Sequence, residues 1–363
     1  MISLFVLAGG LISPIFAQED FVQDVSFQEE TLEVRVIEIL KEEEIWFEGE
    51  GQLYQNLECL VTKGSLKDER IFIESGHISM VNLQKYKEGD QLVIYRTQDL
   101  EGNDLFYISD YIRRKPLLLL FFIFIVLAIA VAKWRGLGSL LGMGLSFLII
   151  FKFILPKISS GASPILIAII GSLFIIPVTF YFSHGLNKKT TAAVIGTLVS
   201  LVITGILAGI FVKATRLTGF ASEEAAFLQV AKGETVNIRG ILLAGIIIGV
   251  LGILDDVAVS QSAIVFKLKQ ANPKINPKEL YKKAMDVGRD HIASMVNTLV
   301  LVYAGAALPL LLLFIDSPHP FSEVINYEII ADEVVRVLVG SIGLILAVPI
   351  TTLIASLTAK RVR

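Results

Sequence analysis

One cysteine, Cys59, stands in 363 residues, which excludes an intrachain disulfide, a cysteine metal cluster and a CxxC redox motif. A lone thiol of this kind is expected to serve as a small buried apolar residue. Charge is scarce too: 18% of the residues are Asp, Glu, Lys or Arg, against 54% hydrophobic. The net charge of −3 is the remainder of opposing local biases, acidic in the first hundred positions and basic in later connections, and it gives nucleic acid no surface to bind. No GxxxxGK[ST] motif occurs, so the chain is not read as a self-contained ATP-driven pump. What it has in excess is apolar length. A mean hydropathy of +0.68 lies above the soluble range and makes the lipid bilayer the first partner.

The chain divides into three parts. Residues 1–17, MISLFVLAGGLISPIFA, are a short apolar run ending in a small residue, the form of a signal peptide or an N-terminal anchor. Residues 29–111 carry about five runs of period-two alternation, TLEVRVIEIL, GQLYQNLECLVT, ERIFIES, DQLVIYRTQ and NDLFYISD, separated by turn residues. They predict a small exported β-barrel-like domain, OB-like at best.

Residues 117–358 predict a membrane α-helical bundle of about seven transmembrane helices, at 117–132, 136–155, 164–183, 191–212, 240–266, 292–315 and 334–358, most near the ~20 residues that a bilayer core requires. Lys133 and Arg135, Lys188 and Lys189, the loop 267–289, and Lys360, Arg361 and Arg363 then fall on one side. The positive-inside rule makes that side cytoplasmic, with the N-terminal domain extracytoplasmic and the C-terminus cytoplasmic. Two shorter helices are expected at the surface: one capped by Ser222, and NPKELYKKAMDVG, capped by Asn276 and lying along the inner face.

The fifth span carries the chemistry. Its stretch GILDDVAVSQS places Asp255 and Asp256 about 22 Å from the outer surface, counting from Gly240 at the helical rise. A carboxylate near a span centre costs about 2.5–3.5 kcal/mol, so two of them need a reason. Gly245, Gly249, Gly252, Asp256 and Ser260 share one helix face, expected to receive another helix closely. Asp255 points about a quarter turn away. The sixth span opens GRDHIASMVNTL, where Asp290, Ser294, Asn297 and Thr298 form a second polar face at the same depth.

Asp255, Asp256 and Asp290 are therefore the candidate proton- or cation-binding residues. Ser260, Gln261, Arg289, His291, Ser294 and Asn297 are the supporting polar groups, with Arg289 placed to neutralise a carboxylate and His291 to pair with one or relay a proton. His184 and His319 are read as interfacial or loop residues. No catalytic or cofactor-binding residue is assigned, no cofactor is expected, and the identity of any metal is left open.

At GILDDVAVSQSAIV and NPKELYKKAMDVGRDHIASMVNTLVLVYAGAALPLLLLF the chain resembles the YibE/F-like family of bacterial multi-pass membrane proteins. The resemblance implies a plasma-membrane location and brings no functional residue with it. The residues themselves favour a transporter or permease-like protein for a small ion or solute. Two other classes compete: an intramembrane aspartyl protease pairing Asp256 with Asp290, and an assembly or signalling component whose exported domain binds a protein partner.

Overall fold

A computed structural model describes residues 30–47, 50–78, 83–99, 102–315 and 318–359. The expected signal segment 1–17 and the basic tail Lys360, Arg361 and Arg363 lie outside the described residues. The chain forms two compact units, one ending at Ile123 and one beginning at Phe124.

The first unit is a sheet of five antiparallel strands: β1 (Glu30–Phe47), β2 (Glu50–Lys63), β3 (Arg70–Ser75), β4 (Gln91–Gln98) and β5 (Asp104–Tyr111), in the order β3-β2-β1-β4-β5. The alternation places Leu32, Val34, Val36, Leu57, Cys59, Val61, Ile73, Leu92 and Ile94 on one buried face. Cys59 is fully buried there, as expected, and burial pushes its thiol pKa up to about 12.

The expected barrel does not close. No ladder joins β3 to β5: the six residues of β3 pair only with the middle of β2, and β5 pairs only with β4. Period two fixes which face a strand buries, but it does not say which edges meet.

The second unit is helical. α1 (Arg114–Ile149), whose first ten residues still belong to the first unit, continues through a π turn at Ile150–Ile154 into α2 (Leu155–Ser159). Then come α3 (Pro164–His184), α4 (Lys188–Ala214), α5 (Glu223–Lys232), α6 (Ile238–Ala271), α7 (Pro277–Ala306), α8 (Leu308–Ile315), α9 (Phe321–Val324) and α10 (Glu328–Ala359). Asn side chains start three of them, with Asn187, Asn237 and Asn276 accepting from the backbone N–H three residues on. Ser222 caps α5 in the expected way.

Five helical stretches among the described residues are long and apolar enough to cross a membrane, six if α7 and α8, bent by 73°, count as one. The expected count of seven is not reached, because the first two expected spans are one helical stretch, Arg114–Ser159. That stretch is broken at Lys133, whose φ of 54° and ψ of −133° are not helical. A Cβ on Gly136 would lie 2.2 Å from the Ala128 carbonyl oxygen. Eight residues of straight helix would separate these groups by about 12 Å, so the chain folds sharply at Lys133. The segment expected as a separate inner-surface helix is instead the first part of α7, unbroken to Ala306.

α4, α6 and α10 form the centre of this unit, and small residues bring them together. A Cβ on Gly196 of α4 would meet Thr351 Oγ1 of α10 at 2.4 Å, and one on Gly343 of α10 would meet Thr204 Oγ1 of α4 at 2.3 Å. Such contacts draw helices together where lipid supplies no hydrophobic drive. Ser200 and Thr204 turn their hydroxyls back to carbonyls of their own helix, at 2.8 Å each, whereas the buried Thr197 and Thr351 hydroxyls have no hydrogen-bond partner. α10 also forms a floor between α6 and α7: a Cβ on Gly340 would stand 3.4 Å from Val250 and 3.6 Å from Leu299.

Candidate functional site

α6 and α7 meet at two levels and leave a gap between them. Near the α6 C-terminus the fully buried Gln261 donates through Nε2 to the Ala284 carbonyl of α7, 2.9 Å, and to Thr352 Oγ1 of α10, 2.7 Å. Gly288 makes this crossing sterically possible, since a Cβ there would lie 2.7 Å from Val348 and 2.9 Å from Gln261 Nε2. Four turns further along α7, Tyr303 brings its hydroxyl to 3.8 Å from a Cβ built on Gly249.

The α6 glycine face is not the tight helix seam that its spacing predicts. A Cβ on Gly245 or Gly252 would meet nothing within 4 Å, and Gly245, Gly249, Gly252, Asp256 and Ser260 are all uncovered by protein. Asp290, Ser294, Asn297 and Thr298 are likewise exposed along α7. Gly245 borders an open cavity beside the end of α7, while Gly252 borders a cavity between α1, α3 and α6.

Asp256 is exposed on this face of α6. The imidazoles of His184, the last residue of α3, and of His291 of α7 are close enough to act on it electrostatically. His184 is fixed by the turn that follows it. Gly185, at φ 75°, ends α3, and Asn187 holds the His184 carbonyl through Nδ2 at 2.8 Å while capping α4. Ser262 of α6 fastens the start of α4 by donating to the Lys189 carbonyl at 2.8 Å. Arg135 and Lys189 complete the charges around His184.

Asp255 faces elsewhere, as the 100° step between neighbours on a helix requires. It lines a cavity of about 280 Å³ with Ser139, Ser146, Thr179 and Ser183, between α1, α3 and α6.

The other expected residues fall as follows. Arg289 pairs with Asp286 of its own helix at 2.8 Å, both exposed, so the carboxylates of α6 are not what holds it. Asp290 is exposed beside His291. Gln261 belongs to the crossing and ties three helices. Among the described residues no group of three or more His, Cys, Asp or Glu side chains is placed to hold a metal ion.

Two positions of the candidate sites escaped the residue pattern. His184 reads as a loop residue, although counting membrane depth along the third span, as was done for Asp256, brings it to within about one helical turn of that level. Asp332 reads as part of an outer loop, yet it stands in the second turn of α10 with only 7% of its surface exposed.

A multi-helix unit with apolar surfaces of spanning length, carrying carboxylates and histidines inside it, defines a membrane-embedded protein. Residues 120–361 match the model of the YibE/F-like protein family, and the chain belongs to that family. Neither the curated proteins nor the solved structures return a match to the chain.

Proposed function

We propose that this protein is a permease of the bacterial plasma membrane that moves a small solute or ion, with a proton bound at Asp256 between His184 and His291. The observation that carries this reading is the gap over α10, tied shut at the Gln261–Gly288 crossing and flanked by uncovered polar faces of α6 and α7. An exposed carboxylate, three glycines and a run of Ser, Asn and Thr facing lipid would be costly. Facing a water-filled passage they are not. Among the described residues no three His, Cys, Asp or Glu side chains converge closely enough to hold a metal ion, so a proton suits Asp256 better than a coordinated metal. Asp255 and Asp290 lie to either side of this position as further acceptors.

The sharp fold at Lys133 supports counting the first helical stretch as two spans and the bundle as seven. With seven, the N-terminal β unit stands outside and the C-terminus inside, in accord with the positive-inside rule. The Asp256–Asp290 pairing of an aspartyl protease is the less favoured reading, since the groups that act on Asp256 are the imidazoles of His184 and His291.

The test uses the purified full-length protein in vesicles with a pH-sensitive dye inside and a panel of solutes and salts added outside. Wild type is expected to move protons with at least one of them, and Asp256→Asn to abolish that movement. Unaltered proton movement in Asp256→Asn and in His291→Gln would overturn the reading.

A further inference from the structure

At the end of the α6/α7 gap remote from the Gln261 crossing lies a cavity of about 780 Å³, bounded by α5, the start of α6, the end of α7 and the start of α10. Its wall is largely aliphatic, with Ile241, Leu242 and Leu310. Four carboxylates line it, Glu223, Glu224, Asp332 and Glu333, against one guanidinium, Arg336.

Asp332 is the unusual member. Its side chain is 9% exposed, and Arg336 Nη2 satisfies only Oδ2, at 2.9 Å. Oδ1 is buried with no hydrogen-bond partner. Arg336 is itself shared with Glu333 at 3.8 Å, so one cation serves two carboxylates. A buried carboxylate oxygen left without a donor costs free energy that a ligand donor would recover. The mouth is held in shape from outside the cavity: Glu328 at the head of α10 accepts from the Thr218 and Gly219 N–H groups at 2.6 and 2.8 Å.

We propose that this cavity binds a small organic monocation with an aliphatic body, of the alkylammonium class. The ammonium group donates to Asp332 Oδ1 and faces Glu333. The chain lies along Ile241, Leu242 and Leu310, with the Tyr303 hydroxyl at the inner limit. An aliphatic wall with a few convergent polar groups, in a volume of this size, is the usual form of a small-molecule site. The excess of carboxylates selects the sign of the ligand. The proposal rests on the permease reading only for the description of the cavity as the mouth of a passage; binding requires no transport.

The experiment is calorimetric titration of the full-length protein, purified in non-ionic detergent, with hexylammonium, and with hexanol and hexanesulfonate as neutral and anionic comparators. Hexylammonium is expected to bind saturably and the comparators at least tenfold more weakly. Asp332→Asn is expected to weaken hexylammonium at least tenfold, Glu333→Gln several-fold, and Arg336→Gln to strengthen it by freeing a carboxylate. Should Asp332→Asn fail to fold, Glu333→Gln and Leu242→Phe carry the test, and unaltered affinity in both would overturn the proposal. Hexanol binding as well as hexylammonium would also overturn it, marking a lipid-filled hollow. A protein that binds hexylammonium but moves no protons in vesicles keeps this site and loses the passage; one that moves protons but ignores hexylammonium does the reverse.

Discussion

The two units of this chain treat their carboxylates in opposite ways. In the β unit acids meet cations at the surface: Glu33 with Arg114 and Lys63, Asp104 and Glu30 with Arg96, Glu58 with Arg70, Glu42 with Lys85. In the helical unit Asp256 has imidazoles near it and no Lys or Arg partner within ion-pair distance among the described residues, Asp255 lines a cavity with hydroxyls, and Asp332 keeps one oxygen without a donor. Exposed ion pairs are worth little, about 0–1 kcal/mol each, and serve solubility and register. Carboxylates set within apolar helices cost several times as much. The helical unit keeps them at a loss in stability, which the proposed binding roles would explain.

The largest effect expected is on the crossing that closes the gap. Gly288→Val inserts atoms where Val348 and Gln261 already stand, and such overpacking costs about 1–3 kcal/mol. The thermal midpoint of the helical unit should fall while hydrogen exchange in the strands of the β unit stays unaltered. Equal loss in both would deny that the crossing belongs to the helical unit alone.

Next comes a pair of matched substitutions with opposite signs. Asp256→Asn removes a charge from the bundle and should leave the thermal midpoint level or raise it, while proton movement is lost. Asp104→Asn removes a partner of Arg96 and should lower β-unit stability by at most about 1 kcal/mol, with proton movement intact. If Asp256→Asn were the more destabilising of the two, Asp256 would be structural.

Acid sharpens the contrast from another side. The Arg114 guanidinium beside Glu33 and the Arg96 guanidinium beside Asp104 hold these carboxyls below their ordinary range, and the Ser65 hydrogen bond does the same for Glu30. A carboxyl lowered in the folded state stabilises above its unfolded value and loses that contribution as pH falls through the folded value. Protection of the strands should hold from neutral pH to about 5 and weaken below about 4, as hydrogen exchange across that range will read. Smallest of all, Cys59, with its thiol pushed up to about 12, should resist maleimide labelling at pH 7 until the β unit is unfolded, because thiolate is the reactive form.

Much of the framework was legible in local pattern. Alternation gave the five strands and the buried Cys59, side-chain caps gave the starts of α5 and α7, and the apolar runs gave the membrane bundle. What stayed hidden depends on neighbours distant in sequence. Whether β3 and β5 pair is decided by strand length and bulges, not by alternation. The spacing of Gly245, Gly249 and Gly252 marks one face correctly, but a glycine stripe reads the same beside a packed helix as beside open space. His184 and Asp332 were missed because each stands at the edge of an apolar run, where polar residues are common, and only the packing shows that their surroundings are protein. Arg289 looked like a partner for Asp255 or Asp256 until its own helix supplied Asp286 three residues earlier.

The central claim is that Asp256 binds and releases a proton inside the bundle. Infrared difference spectra of the full-length protein in lipid, taken while pH is stepped, report protonated carboxyl groups directly. The account predicts a carboxylic acid C=O band that appears as pH is lowered, disappears in Asp256→Asn, and moves in pH when His291 is replaced by Gln. A band set identical in wild type and Asp256→Asn at every pH would contradict it.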